Sequence, residues 1–322
     1  VKLLLNDNRV NINQANKYDD TPFYLVCEKG HIEIVKLLLN DKRVGPDINK
    51  VNNKNTIPFW TACENGHLEI VQLLLNDNRV DINKVDNGFT PLCIACGCGH
   101  IEIVKLLLSY NRVDTNKVLN DGATPFWIAC ENGHIEIVKL LLNDQRIDIN
   151  QTNKFGWKND GATPFWIACK EGHIEIVEEL LNEERVDMNN SNMREETPLF
   201  IACWYEQIEI VKLLLHDKRI DIHKADKYDR TPFYIACYSG QIEIMKYLLV
   251  CGREMDINKK DKAGKTALDI ARERGNEEKK NQESEEEYQK AKRNWLEIIE
   301  LIKSFQNNQN KTRTMLRKEL GK

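Results

Sequence analysis

Apolar residues recur along the chain in two alternating patterns, which short polar segments separate. The first is a compact apolar run that opens with Thr-Pro, as in residues 231–237, which read T-P-F-Y-I-A-C. Proline suits the first turn of a helix and threonine can cap that turn, so each run predicts a short helix. The second pattern, as in residues 32–39, places apolar side chains at helical spacing with Glu33 and Lys36 pointing outward. It predicts an amphipathic helix.

The two patterns together form a repeat. Thr-Pro or its equivalent starts at positions 21, 57, 90, 124, 163, 197 and 231, and a degenerate copy starts at Thr266. The steps of 36, 33, 34, 39, 34, 34 and 35 residues have the period of helical repeat proteins. A phrase such as Arg79-Val-Asp-Ile-Asn83 closes the repeat, and Asn, Asp and Gly mark the turns between repeats. Since one repeat buries too little apolar surface alone, the sequence predicts an all-α solenoid of stacked repeats.

The three phrases resemble those of the ankyrin repeat. The Thr-Pro run is similar to its T-P-L-x-x-A motif, Gly30-His31 and the residues after them are similar to its G-H-x-E-I-V helix start, and residues 79–83 are similar to its D-V-N turn. The resemblance covers residues 1–275 and, with an insertion, reaches about residue 303. It implies helix-turn-helix pairs joined by β-hairpin loops, about eight repeats plus a partial N-terminal one, and a function in protein recognition.

The register of the repeats divides the chain into four segments. Residues 1–15 are expected to be the second helix of a partial repeat with an uncovered apolar face, and the start at Val1 rather than Met predicts a fragment. Residues 16–260 hold seven repeats. Residues 261–302 hold the degenerate eighth repeat with a charged insertion, 277–294, expected to be a solvated helical extension; a disordered linker is the alternative. Residues 303–322 form a basic tail.

Composition and charge narrow the class of partner. The 322 residues carry a net charge of −4 with a pI of 6.1, so the whole chain lacks the strong positive field of a duplex DNA-binding protein. Nucleic acid is therefore not the expected partner. No apolar run approaches the roughly 18 residues needed to span a bilayer. The tail holds six basic residues and one acid, and in an alternative interpretation it contacts nucleic acid or an acidic membrane surface.

The cysteines and histidines could suggest metal or redox chemistry. Cys93 and Cys96 form a C-x-x-C motif, but Cys96 occupies a position of the repeat that cysteine also fills elsewhere, and no second C-x-x-C motif follows. We therefore expect a small buried residue rather than a metal ligand at these seven positions, which are Cys27, Cys63, Cys96, Cys130, Cys169, Cys203 and Cys237. Cys98 and Cys251 are the predicted exposed thiols. No cofactor and no metal are expected.

Five histidines follow the glycine of the helix turn, at one-repeat spacing: His31, His67, His100, His134 and His173. They are too far apart to share one ion, so we expect each to be a hydrogen-bonding residue at the turn. Many ankyrin repeats also carry histidine two residues after the proline. Here that position holds Tyr24, Trp60, Cys93, Trp127, Trp166, Phe200 and Tyr234. The departure puts the family's usual Thr–His hydrogen bond in doubt and predicts a packed aromatic column, with ligand binding as the alternative.

The positions before Thr-Pro and after the repeated cysteine vary while the framework repeats, which is typical of a recognition surface on a fixed scaffold. In this architecture those positions line the concave face. One group is rich in Trp, Tyr and Arg, the residues that dominate binding hot spots. The predicted protein-binding residues are Trp204, Tyr205, Arg194, Tyr228, Arg230 and Tyr238, with a weaker second group of Lys17, Tyr18 and Phe89. Glu206 replaces the turn glycine beside Tyr205.

Catalytic motifs are missing from the sequence, which has no G-x-S-x-G, phosphate-loop, H-E-x-x-H or Rossmann glycine pattern. The sequence therefore predicts a non-enzymatic scaffold or adaptor that acts as a monomer and binds a protein partner. Cysteine usage favours a reducing, intracellular compartment, most simply the cytoplasm. A targeting region of a larger enzyme or signalling protein is the alternative.

Overall fold

The computed structural model describes residues 1–7, 9–85, 88–118, 122–154, 160–276 and 285–321, with the backbone alone at 45–47 and 287. Within these residues the regular structure is helical and includes no β-strand. The chain forms two compact units, unit 1 at residues 1–160 and unit 2 at residues 161–322. We describe each unit by itself.

Unit 1 consists of helix pairs that follow one another along the chain. The first helices of successive repeats pack together, as do the second helices. The apolar side chain of Leu3, in the first helix of the chain, is 87% exposed. The α-helices are α1 (Lys2–Leu5), α2 (Pro22–Glu28), α3 (Ile32–Leu39), α4 (Pro58–Glu64), α5 (Leu68–Leu75), α6 (Pro91–Gly97), α7 (Ile101–Leu108), α8 (Pro125–Glu131) and α9 (Ile135–Leu142), with a 3-10 helix at Lys42–Asp47.

Unit 2 repeats the same packing of first on first and second on second helices. Its helices are α10 (Pro164–Glu171), α11 (Ile174–Leu181), α12 (Pro198–Trp204), α13 (Ile208–His216), α14 (Pro232–Tyr238), α15 (Ile242–Val250), α16 (Ala267–Gly275), α17 (Glu285–Asn307) and α18 (Gln309–Glu319). The predicted all-α repeat organisation is thus confirmed in both units.

The first helices begin where the Thr-Pro pattern predicts. In α14, for example, the Thr231 hydroxyl accepts a hydrogen bond of 3.1 Å from the backbone N–H of Tyr234, and Pro232 occupies the first turn. The threonine is used as a backbone cap rather than in a Thr–His bond. The aromatic side chains that replace the family's histidine are buried, and the Trp166 indole N–H donates to the carbonyl oxygen of Glu196 at 2.8 Å, in the loop before α12. The predicted burial of the side chains at these positions is confirmed.

Histidines of the second helices join neighbouring repeats. The Nε2 atom of His100 lies 2.8 Å from the carbonyl oxygen of Glu64, at the end of the previous first helix. In the copy where Gln207 replaces histidine, its side-chain amide donates to the carbonyl oxygen of Lys170 at 2.9 Å. The prediction of a hydrogen-bonding residue at the turn is therefore confirmed for His67, His100 and His134. The turn glycine makes room for the ring, because a Cβ atom on Gly66 would lie 2.9 Å from His100 Cε1.

Asparagine links neighbouring repeats in several of the segments that follow a second helix, a role that the sequence analysis missed. The Asn83 side chain donates to the carbonyl oxygen of Arg112 at 2.7 Å and accepts from the N–H of Asp114 at 2.8 Å, both in the next repeat. Arg112 in turn donates to the carbonyl oxygen of Leu75 in the preceding repeat, at 2.8 Å. The closing phrase of the repeat is therefore a connector between repeats.

The repeated cysteines are buried, as predicted, and burial raises the pKa of each thiol for which a shift is resolved. For Cys237 the pKa is raised to about 12. Cys98 is exposed and Cys251 is half-buried. Among the described residues, no group of three or more His, Cys, Asp and Glu side chains is close enough together to hold a metal ion.

The end of unit 2 departs from the repeat. Residues 277–284 of the charged insertion lie outside the described residues, and residues 285–294 are helical as the first part of α17. The Asn294 side chain donates to the carbonyl oxygen of Gly240 at 3.0 Å, much as histidine does in other repeats. The segment predicted to be a basic tail contains α18, which packs against α15 and α17. Arg313 donates from there to the carbonyl oxygens of Leu249 and Arg253, each at 3.0 Å.

Candidate protein-binding surface

The loop at residues 226–230 is held together by one carboxylate. Asp226 Oδ1 accepts hydrogen bonds from the N–H groups of Tyr228 at 3.0 Å and Arg230 at 2.9 Å, and the Asp226 N–H donates to the carbonyl oxygen of Arg230 at 3.0 Å. Asp229 takes a left-handed φ of 62°, which closes the turn. This loop, where the resemblance implies a β-hairpin, is thus a tight turn without strands.

Neighbouring loops of unit 2 are joined by backbone hydrogen bonds. The N–H of Lys227 donates to the carbonyl oxygen of Arg194 at 2.9 Å, and the N–H of Lys262 donates to the carbonyl oxygen of Tyr228 at 3.0 Å. Arg194, Tyr228 and Ala263 therefore occupy equivalent positions on three successive loops. This register sets the spacing of the side chains that the loops present.

Arg230 lies at the centre of an aromatic cluster. Its Nε and Nη2 atoms donate to Asp226 Oδ2 at 2.8 and 2.5 Å, and the Asp226 side chain is fully buried. The guanidinium carbon lies 4.9 Å from the ring centroid of Tyr228, 5.2 Å from that of Trp204 and 5.9 Å from that of Phe200. These distances are within the range of cation–π attraction. The ion pair fixes the arginine, so the rings are arranged around a stationary charge.

Tyr228 and Arg230 also line an open pocket of about 510 Å³ with Tyr238. The other lining residues are Tyr234, Asp261, Lys262, Ala263, Lys265 and Ile270. The Tyr234 hydroxyl donates to Asp261 Oδ2 at 2.6 Å. Burial and this bond to a carboxylate raise the pKa of Tyr234 well above its ordinary value. Burial acts to raise the pKa of Asp261, but the hydrogen bonds from Tyr234, Lys265 and Ala263 prevail and lower it.

The six predicted residues thus fall into three sets. Trp204, Tyr228 and Arg230 are in contact, and Tyr238 joins two of them at the pocket. Arg194 is exposed on the adjacent loop. The ring of Tyr205 is 46% exposed and lies 5.3 Å from the Lys170 ammonium instead. Within the described residues, no aromatic or cation–π contact joins Tyr205 to the Arg230 cluster.

Asp226 and Phe200 contact the predicted residue Arg230, and sequence reasoning did not group them with it. Phe200 stands in a framework position of the repeat, and the sequence analysis searched only the variable positions for binding residues. Asp226 precedes Arg230 by four residues, and Asn192 and Asp261 hold the same position in adjacent loops. The recurring Asn or Asp at this position was the sequence signal that could have identified the side chain that holds the loop together.

The weaker second group is not assembled into one cluster. The Lys17 ammonium lies 4.9 Å from the ring centroid of Tyr18, which is 55% exposed, and the Tyr18 carbonyl oxygen accepts from the N–H of Asn53 at 2.9 Å. Phe89 is half-buried in a later loop. In the part of unit 1 that the structure describes, no ring contact connects Phe89 to Tyr18.

Glu206, next to Tyr205, departs from the repeat. This residue adopts a left-handed φ of 60° at the position where other repeats have glycine, so its backbone is strained. The adjacent Tyr205 ends the first helix of its repeat as the C-cap of α12.

No helix within the described residues is long and apolar enough to cross a membrane.

Comparison with known proteins places these observations in a family. One sequence model, for three copies of ankyrin repeats, matches residues 1–86, 59–153 and 147–226, and a second, for many copies of ankyrin repeats, matches residues 215–271. The crystal structure of the human ASB11 ankyrin repeat domain is similar, with a TM-score of 0.57 and 26% sequence identity, over 75% of this chain and 97% of that chain. No curated protein matches the sequence.

Proposed function

The chain belongs to the ankyrin repeat family, whose repeats are generally protein–protein interaction modules, and we propose that it is a non-enzymatic scaffold or adaptor that binds a partner protein through unit 2. The proposed binding surface consists of Arg194, Trp204, Tyr205, Tyr228, Arg230 and Tyr238. We refer to these six residues as the unit 2 surface.

The observation that supports the proposal most is the arrangement around Arg230. Arginine, tryptophan and tyrosine dominate binding hot spots. Here the ring centroids of Trp204 and Tyr228 lie 5.2 and 4.9 Å from the guanidinium carbon of Arg230. Because Asp226 already holds Arg230, a partner that covers the cluster loses little side-chain entropy there. Tyr228 remains 48% exposed, so the cluster is open to a partner.

The proposal includes an intracellular site of action. Cys98 is an exposed thiol and Cys251 a half-buried one, and both are free. Free accessible thiols persist in reducing compartments, whereas an oxidising compartment converts them to disulfides.

The basic tail is the alternative contact. Two charged residues of the tail make contacts within unit 2. Arg313 donates hydrogen bonds to two carbonyl oxygens, and Glu319 forms an ion pair of 2.5 Å with Lys246. Lys311, Arg317 and Lys318 remain exposed. Nothing in this geometry favours nucleic acid or membrane over a protein partner, so the unit 2 surface remains our proposal.

The experiment is affinity capture by the intact chain with paired variants. Trp204→Ala and Tyr228→Ala are compared with Tyr288→Ala, a tyrosine on α17 that is likewise near a lysine ammonium, at 5.8 Å, but outside the surface. We expect one partner to be captured by the wild type and by Tyr288→Ala and to be reduced in the other two. Equal capture by all four folded proteins would contradict the proposal.

A further inference from the structure

We propose that the pocket beside Tyr228 and Tyr238 takes one large apolar side chain from an acidic, extended segment of the partner protein. This inference rests on the proposed function and adds the chemical class of the bound segment. The pocket lies between the loops at 226–230 and 261–265 and the helices α14 and α16.

The walls of the pocket suit an apolar side chain. Tyr228, Tyr234, Tyr238 and Ile270 contribute rings and methyl groups, and the Tyr234 hydroxyl is already engaged by Asp261 at 2.6 Å. A volume of about 510 Å³ falls in the range of roughly 300–1,000 Å³ typical of clefts that hold ligands. Burial of a large side chain against these rings is the favourable contribution expected from such a site.

The charge of the rim selects for carboxylates. Three cations, Arg230, Lys262 and Lys265, line the pocket with one anion, Asp261. Arg230 is already paired with the buried Asp226, so Lys262 is the lining cation for which the described residues provide no ion pair. Asp261 is satisfied by Tyr234 and by the N–H groups of Ala263 and Lys265, so it is not free to bind a basic partner. Lys262 is exposed, and Lys265 forms an ion pair of 2.7 Å with Glu273. The lining is therefore complementary to a segment that carries Asp or Glu next to its apolar residue.

The backbone at the edge of the pocket suits an extended segment. In the preceding loops, the carbonyl oxygens of Arg194 and Tyr228 each accept an N–H from the next loop. Ala263 holds the equivalent position in the loop at 261–265, and among the described residues its carbonyl oxygen accepts no backbone hydrogen bond. An extended peptide can continue this series by donating an N–H to Ala263, as strands do when they add to an open edge.

A displayed library of random short peptides, selected on the intact chain, tests the inference. Selected peptides are synthesised and titrated against the wild type, against Ala263→Trp, which places an indole at the pocket, and against Lys262→Glu. Lys218→Glu, at an exposed lysine after α13, is the matched charge control. Circular dichroism of each variant confirms that it is folded.

We expect the selected peptides to share one Leu, Phe or Trp with acidic neighbours. Affinity should fall at least about tenfold with Ala263→Trp or when the peptide's apolar residue is replaced by alanine, and about fivefold with Lys262→Glu. Lys218→Glu should bind as the wild type does. Selection of basic peptides, selection of none, or equal affinity for folded Ala263→Trp would overturn the inference.

The captured partner separates this inference from the proposed function. A partner whose affinity falls with Trp204→Ala but is unchanged with Ala263→Trp contradicts the pocket and leaves the unit 2 surface intact. A partner insensitive to both substitutions contradicts both.

Discussion

Arg230 donates two hydrogen bonds to a single oxygen of Asp226, from Nε at 2.8 Å and from Nη2 at 2.5 Å. The other carboxylate oxygen of Asp226 accepts the N–H groups of Tyr228 and Arg230. One buried carboxylate therefore holds both the fold of the loop and the position of the arginine. The two roles can be separated, because Asn192 performs the loop role without a charge in the preceding loop.

Asp226→Asn should keep the loop and lose the ion pair. We expect a loss of about 2 kcal/mol in the free energy of unfolding, the usual size for hydrogen bonds to a charged group, and weaker partner binding because Arg230 is no longer held. Asp226→Ala should cost about 4 kcal/mol, since it also leaves a half-buried arginine and two N–H groups without their acceptor. Urea unfolding measures both. If Asp226→Ala were no less stable than Asp226→Asn, the claim that the Asp226 side chain holds the loop together would be refuted.

His100 should be replaceable by glutamine but not by alanine. Its Nε2 atom bonds the Glu64 carbonyl oxygen, and Gln207 makes the same bond in another repeat. His100→Ala should lower the free energy of unfolding by at least about 1 kcal/mol, because a carbonyl at a repeat junction loses its donor. His100→Gln should lower it by less. Equal losses in urea unfolding would show that the bond does not matter.

Glu206→Gly should stabilise the chain by about 1 kcal/mol, because glycine adopts the left-handed φ of 60° without a Cβ clash. The reverse change at the equivalent turn, Gly172→Ala, should destabilise it. There φ is 86° and a Cβ atom would lie 2.6 Å from Gln207 Oε1. Melting temperatures of the two variants should therefore move in opposite directions. A decrease for Glu206→Gly would mean that the strain is compensated by contacts of the glutamate.

The buried thiols should make the fold sensitive to alkaline pH. Burial raises the pKa of Cys237 to about 12 in the folded chain, against about 8.5 for an unfolded cysteine. Below about pH 8.5 both states keep the proton and stability is unaffected. Above it the unfolded state loses the proton first, so stability falls until the folded pKa is reached, by about 1.4 kcal/mol per pH unit for each such thiol.

The melting temperature should consequently fall steeply above about pH 9, since several cysteines are buried in the same way. Cys237→Ala should reduce the slope by the contribution of one thiol, and Cys98→Ala, at an exposed position, should change it little. A melting temperature that stays constant to about pH 10 would contradict the assigned burial.

The sequence was sufficient to predict the elements that depend on local chemistry and on repetition. Pro232 and Thr231 predict the start of α14 because cap and proline act within one turn. The burial of the cysteines and the turn position of the histidines followed because seven and five copies in register favour one shared structural role for each. Glu206 was recognisable for the same reason, as the exception to a repeated glycine.

The rest depended on contacts between repeats, which the sequence does not specify. Asp226 could not be identified as the partner of Arg230, because the same position also carries uncharged Asn192. The pocket requires Tyr238 from one repeat and Ala263 and Ile270 from the next. Tyr205 was grouped with Trp204 as its neighbour in sequence, and only the structure shows that its ring lies beside Lys170.

The affinity of the captured partner for Trp204→Ala and Tyr238→Ala, measured by titration calorimetry beside Tyr288→Ala, tests the central claim most directly. We predict affinities at least about tenfold weaker for the first two variants, with circular dichroism spectra and melting behaviour close to those of the wild type, and an unchanged affinity for Tyr288→Ala. Equal affinities for the three variants, or a loss of binding that only accompanies unfolding, would contradict the unit 2 surface as the binding site.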